Sequence, residues 1–169
     1  MGVAIHFEGR LRDERSYEQL LLIVRKIASS EAWLTEDIEP AEKKLLRIRD
    51  EEDWDHEGPV KGVILYPHED CDPVRLEFDR DLYMQEFTKT QFAGARYHVK
   101  VIALLRTIEP LFVELKVEDE GEYWETGNLQ ALSGHIETCG EMIQEELRKH
   151  PGAKFKVKDP DGKIIDLIA

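Results

Sequence analysis

The chain lacks most of the features that point directly to a function. Its 169 residues include two cysteines, Cys71 and Cys139, far apart and outside any Cys-x-x-Cys pair. That excludes a disulfide framework or an all-thiolate zinc site, and both residues are expected as reduced thiols. No apolar run approaches the roughly 20 residues of a membrane-spanning helix. The opening Met1-Gly2-Val3-Ala4-Ile5-His6-Phe7-Glu8 is too short and too soon charged for a signal peptide, so a cytoplasmic protein is the expectation. Basic residues are scarce: 23 Lys and Arg stand against 36 Asp and Glu, a net charge of −13. Binding to phosphate backbones draws on Lys and Arg displacing counterions, so neither direct nucleic-acid binding nor docking on anionic lipid is expected.

Known chemical motifs are missing too. There is no Gly-x-x-x-x-Gly-Lys-Ser/Thr loop, no Gly-x-Gly-x-x-Gly after the first strand and no Gly-x-Ser-x-Gly elbow. No cofactor is expected, and the balance leans away from an enzyme. A share of 41% apolar residues, recurring in clusters along the whole chain, nevertheless supports a folded acidic protein over disorder. With no internal repeat and no Gly/Ser linker, residues 1–169 read as one domain.

The acidity is unevenly placed. Residues 1–30 and 141–169 are close to neutral, whereas residues 31–140 carry −14. Three acidic stretches fall between apolar segments and read as loops: 50–57, 68–72 and 118–125. Two of them carry tryptophan, in Asp53-Trp54-Asp55 and Glu122-Tyr123-Trp124-Glu125. Aromatics among acids can anchor an interface, and if these loops met in space they would form an acidic, Trp-lined cleft for a cationic partner. Core packing explains either tryptophan alone equally well.

Periodicity gives a coarse secondary structure. Residues 3–8 alternate as a half-buried strand, and Tyr17, Leu20, Leu21, Val24, Ile27 and Ala28 form one helical stripe. Residues 31–57 read poorly. Val60–Tyr66 and Val74–Phe78 are strands flanking a loop bounded by Pro67 and Pro73, and residues 81–94 show no clean period. A second helix spans about 96–109, a strand follows at 111–117, and a third helix starts at the N-cap Asn128 and stops near Pro151-Gly152. A hairpin turning at Asp159-Pro160-Asp161-Gly162 ends the chain. The class is α+β, a mostly antiparallel sheet with helices on one face. The first six elements have the order of a ferredoxin-like split βαβ unit, βαββαβ, followed by a helix and the C-terminal hairpin.

Three further groups can carry chemistry. His68, Glu69, Asp70 and Asp72 are the densest set of metal-ligand types, yet neighbouring side chains on extended backbone diverge and no second His or Cys sits at zinc spacing, which favours a solvated turn. His135 and Cys139 are four apart on the third helix, where a buried thiol beside a boundary histidine accounts for them without metal. His6 and Glu8 share one side of the first strand and form an acid–base couple only if that side is enclosed. Two functions follow. The first is a non-catalytic interaction or regulatory protein whose acidic face binds a basic protein. The alternative is a metal-dependent or carboxylate-based hydrolase built on the 68–72 and 118–122 acids.

Overall fold

A computed structural model describes residues 2–49, 52–53 and 56–168, with backbone alone at 49, 52 and 53. The first strand, β1 (Ala4–Leu11), keeps the alternation of its sequence: Ile5, Phe7 and Leu11 are buried while His6 and Arg10 face solvent. Gly9 occupies an inward position because a Cβ there would sit 2.5 Å from the carbonyl oxygen of Glu114 on the neighbouring strand. Asp13 then caps α1 (Glu14–Glu31), its carboxylate accepting the Ser16 N–H at 2.8 Å. The buried stripe of α1 is Tyr17, Leu20, Val24 and Ala28.

The segment that reads poorly forms a long hairpin, β2 (Leu34–Leu45) against β5 (His56–Tyr66), with the small ladder β3 (Ile48–Arg49) and β4 (Glu52–Asp53) between them. β6 (Val74–Phe78) and β7 (Tyr83–Lys89) follow, then α2 (Ala95–Ile108), a 3-10 turn at Glu109–Leu111, β8 (Phe112–Asp119) and the single helical turn α3 (Tyr123–Thr126). α4 (Leu129–Lys149), β9 (Lys154–Lys158) and β10 (Ile164–Ile168) complete the chain. Every ladder is antiparallel. The main sheets run β7-β1-β8 and β2-β5-β6, and β9-β10 forms a separate hairpin. The α+β class with antiparallel sheets therefore holds.

The ferredoxin-like arrangement does not. A split βαβ unit places a parallel strand beside the first, whereas both neighbours of β1 run antiparallel to it. The cause is β7, which had no legible period. At its start a tight turn is held by the Asp79 carboxylate, which accepts the N–H groups of Asp81 at 2.8 Å and Tyr83 at 3.1 Å. β6 and β7 diverge from this turn, β6 to β5 and β7 to β1.

The outward carbonyls of β7 are satisfied by other groups instead of a strand. Arg47 donates to the carbonyls of Gln85 at 3.0 Å and Tyr83 at 3.4 Å, Lys163 to that of Phe87 at 2.7 Å, and the Asp72 N–H to that of Lys89 at 2.9 Å. Buried backbone acceptors require partners, and here two cations supply most of them.

One core lies between the sheets and α1 and α2, filled by Ile5, Phe7, Leu20, Val24, Leu65, Leu76, Phe78, Met84 and Leu105 among others. α4 covers the far side of α2 through a smaller cluster of Val3, Leu132, Cys139 and Ile143. No helix among the described residues is long and apolar enough to cross a membrane.

Candidate functional site

A groove of about 570 Å³ opens on the face of the β2-β5-β6 sheet turned away from the helices. Strand alternation builds it. Val63, Leu65, Val74, Leu76 and Phe78 point into the core, so Val60, Ile64, Tyr66, Arg75 and Glu77 are turned to the opposite face. Gly62, between Val60 and Ile64, permits close approach of β5 to β6, because a Cβ there would lie 1.8 Å from the Leu76 carbonyl oxygen. Val60 and Ile64 form a buried apolar floor, with Ile38 of β2 on the same face.

The turn Pro160-Asp161-Gly162 closes one end. Its position depends on contacts at the base of the C-terminal hairpin. The buried Asp72 carboxylate accepts the N–H groups of Lys89 at 2.9 Å and Ile164 at 2.7 Å, and Lys89 donates to Asp166 at 2.8 Å. Burial pushes the Asp72 carboxyl above its ordinary range, against the pull of those two amides.

The groove is predominantly acidic. Glu36, Glu39, Glu77 and Asp161 line it, against Lys43 and Arg75, while Asp37, opposite the core-facing Val63, turns its carboxylate toward α1. Glu77 is only 8% exposed and is paired with Lys43 at 3.0 Å. Glu36 accepts the Tyr66 hydroxyl at 2.7 Å, a bond that raises the phenol's pKa together with its burial. Asp37 pairs with Arg25 of α1 at 2.9 Å. Glu39 and Asp161 make no side-chain hydrogen bond or ion pair among the described residues, and neither does Arg75. The groove thus presents two open carboxylates at its rim and one open guanidinium at its floor.

The aromatic–acidic segments predicted from sequence are placed differently. Trp54 and Asp55 lie outside the described residues, and of Asp53 the backbone alone is described, paired with Ile48. Residues 118–125 are a strand end and a helical turn, not an open loop. Tyr123 and Trp124 pack against the main core, and the Arg106 guanidinium stacks 3.4 Å from the Trp124 ring centroid. Glu122 pairs with His135 at 2.8 Å, and Glu125 is exposed.

Of the 68–72 set, each residue has its own partner. His68 Nδ1 accepts the Asp70 N–H at 3.0 Å and its ring lies on Tyr97; Asp70 pairs with Lys156; Asp72 holds the hairpin; Glu69 is exposed. The structure does not bring them together, and among the described residues no three His, Cys, Asp or Glu gather as a metal-ligand set. His6 pairs with Glu120 at 3.2 Å on a solvent-facing side of β1, while Glu8 accepts from Tyr83 and from Gln85.

Two buried polar networks support the scaffold. His98, with no exposed side-chain surface, places Nδ1 2.7 Å from the Thr90 hydroxyl and Nε2 2.9 Å from Asp119, the latter contact lying off the hydrogen-bond direction. The Asp119 carboxylate also accepts the N–H groups of Gly121 at 2.7 Å and Trp124 at 2.9 Å. In the second network His56 Nδ1 stands 4.0 Å from Asp79, and Arg47 stacks on Tyr83. Both are enclosed by protein, unlike the groove. Comparison of the chain with models of known protein families, with curated proteins and with solved structures finds no match.

Proposed function

We propose that this chain is a non-catalytic interaction protein, and that the acidic groove on the β2-β5-β6 sheet seats a basic segment of a partner protein. The observation that carries this reading is the groove's lining, four carboxylates against two cations above an apolar floor. An apolar floor with an acidic rim suits lysine and arginine, whose methylene stems pack on hydrocarbon while their charged heads reach carboxylates. All of the groove's lining except the Pro160-Asp161-Gly162 turn comes from residues 31–140, which carry the −14 charge, so the field around it favours approach of a basic chain.

A fluorescently labelled peptide of alternating lysine and valine tests this reading. Its affinity for the intact protein is expected to fall steeply as salt rises, since the screening length shrinks from about 30 Å at 0.01 M to about 8 Å at 0.15 M. Replacing the exposed Glu36 and Glu39 by lysine converts attraction into repulsion, with an expected loss of about tenfold or more. Equal affinity of the wild type and the doubly reversed variant, or no binding at low salt, refutes the reading.

A further inference from the structure

β2 buries neither of its faces. From Leu34 to Lys44 its side chains are exposed apart from the half-buried Ile38, and among the described residues it pairs with β5 alone. A strand of an antiparallel sheet ordinarily covers the core with one face. Here the side chains and the outer row of N–H and C=O groups meet solvent together, the condition under which a strand edge accepts another chain.

Two features limit what can lie along this edge. Pro40 has no N–H, and the β2–β5 register shifts between Ile38 and Ala41, so the regular edge ends near Glu39. Leu34–Glu39 remains. On its groove side Leu34 and Ile38 bracket Glu36, and Leu34 is 77% exposed.

Charge then selects the occupant. A second copy pairing antiparallel across this segment sets Glu36 against itself, Glu36 against Asp37, or Asp37 against itself in its three central registers. Like charges directly opposite destabilise such pairs. A strand with lysine or arginine opposite Glu36 reverses that sign. Apolar residues on either side of it would cover Leu34 and Ile38.

We infer that the Leu34–Glu39 edge receives an extended basic segment of the partner as an added strand, reading apolar–basic–apolar opposite Leu34, Glu36 and Ile38. This inference rests on the proposed role of the groove and specifies how the partner enters it. Main-chain hydrogen bonds supply affinity in this mode and the alternate side chains supply specificity. Adjacent strands lie about 4.8 Å apart, so a lysine on the added strand reaches over β2 to the carboxylates at the groove rim.

The probe is the palindromic peptide Ac-Lys-Val-Thr-Lys-Thr-Val-Lys-NH2, which shows valine–lysine–valine on one face in either direction. With the full chain saturated by it, amide hydrogen exchange within residues 34–39 is expected to slow about tenfold or more. An analogue of equal charge, N-methylated on alternate amides, is expected to bind about tenfold more weakly, because half its ladder donors are blocked. The Glu36→Lys variant is expected to prefer the same peptide with glutamate at its centre. Binding that leaves 34–39 exchanging at the free rate overturns the strand-addition inference while the groove reading stands. An unchanged peptide preference in Glu36→Lys also overturns it. If neither this peptide nor the lysine–valine probe binds, both fall.

Discussion

Asp119 is the residue whose removal most sharply tests the scaffold described above. It ends β8, and its carboxylate accepts buried or half-buried N–H groups from Gly121 and Trp124 while lying 2.9 Å from the enclosed His98 ring. Asp119→Ala leaves both amides without their acceptor and removes the carboxylate beside the His98 ring. An unsatisfied buried donor costs about 1–3 kcal/mol, and two such amides are left. These effects share one carboxylate, so they overlap, and the expected loss is about 4 kcal/mol. Against a typical domain stability of about 5–15 kcal/mol that is a large fraction. At roughly 2–4 °C per kcal/mol for a chain of this size, the melting temperature should fall by about 10 °C.

Asp119→Asn keeps one oxygen acceptor and should lose roughly half as much. Burial raises the Asp119 pKa, but the His98 contact and the two amides outweigh it and hold the carboxyl below its ordinary value. A depressed folded pKa contributes stability that is present above the unfolded value, near 4, and vanishes as pH drops through the folded one. The gap between wild type and Asp119→Asn should therefore be full at pH 7 and close below about pH 4. Urea unfolding at both pH values measures it. A loss under about 1 kcal/mol for Asp119→Ala at pH 7 refutes the network as described.

Two further predictions concern packing. Gly62→Ala places a methyl 1.8 Å from the Leu76 carbonyl oxygen, so β5 and β6 must separate. A destabilisation of about 3 kcal/mol or more is expected in urea unfolding, and a change under about 1 kcal/mol shows the β5–β6 register to be wrong. Cys71 and Cys139 are both buried, and burial pushes the Cys71 thiol up to about 12 and raises that of Cys139. Neither should react with a disulfide reagent at pH 8 in the native protein, and both should in urea, since the thiolate is the nucleophile. Fast native labelling of Cys71 contradicts its packing.

Where one face of an element is buried, its sequence carries the signal. β1, α1, β6 and α4 are such elements, and Asn128 does cap α4, accepting the Ala131 N–H at 3.1 Å. β2 was illegible because it covers nothing, so no alternation was imposed on Leu34–Leu45. β7 was illegible for another reason: its inward side holds Met84 and Thr88, while the half-buried Glu86 and exposed Phe87 answer to Lys163. Without β7, the strand beside β1, the remaining elements have the ferredoxin-like order.

The groove was missed along with β2. Its acids Glu36 and Glu39 sit in a segment without a pattern, whereas the acids beside tryptophan stand out in the sequence. Acidic residues flanking Leu34 and Ile38 at alternate positions were the available signal. Trp33 and Trp124, the described tryptophans, are explained by packing.

The placement of cations explains why so acidic a chain keeps its negative charge accessible. Arg47 and Lys163 cap carbonyls of β7, Lys89 ties Asp166 to the body, Lys43 meets the buried Glu77, Lys100 meets Glu31, and Arg106 covers Trp124. Each is held at its own acceptor or ring, so none of them pairs with the open carboxylates. Glu39, Glu42 and Asp161 then stand without ion-pair partners among the described residues. At physiological salt their field fades within about 8 Å, so it can guide only a chain already at the surface. Discrimination among basic partners must therefore come from short-range geometry: the backbone edge that ends at Pro40 and the apolar contacts at Leu34 and Ile38. For that reason scrambling the order of a basic peptide, with its charge unchanged, should weaken binding as much as removing a charge does.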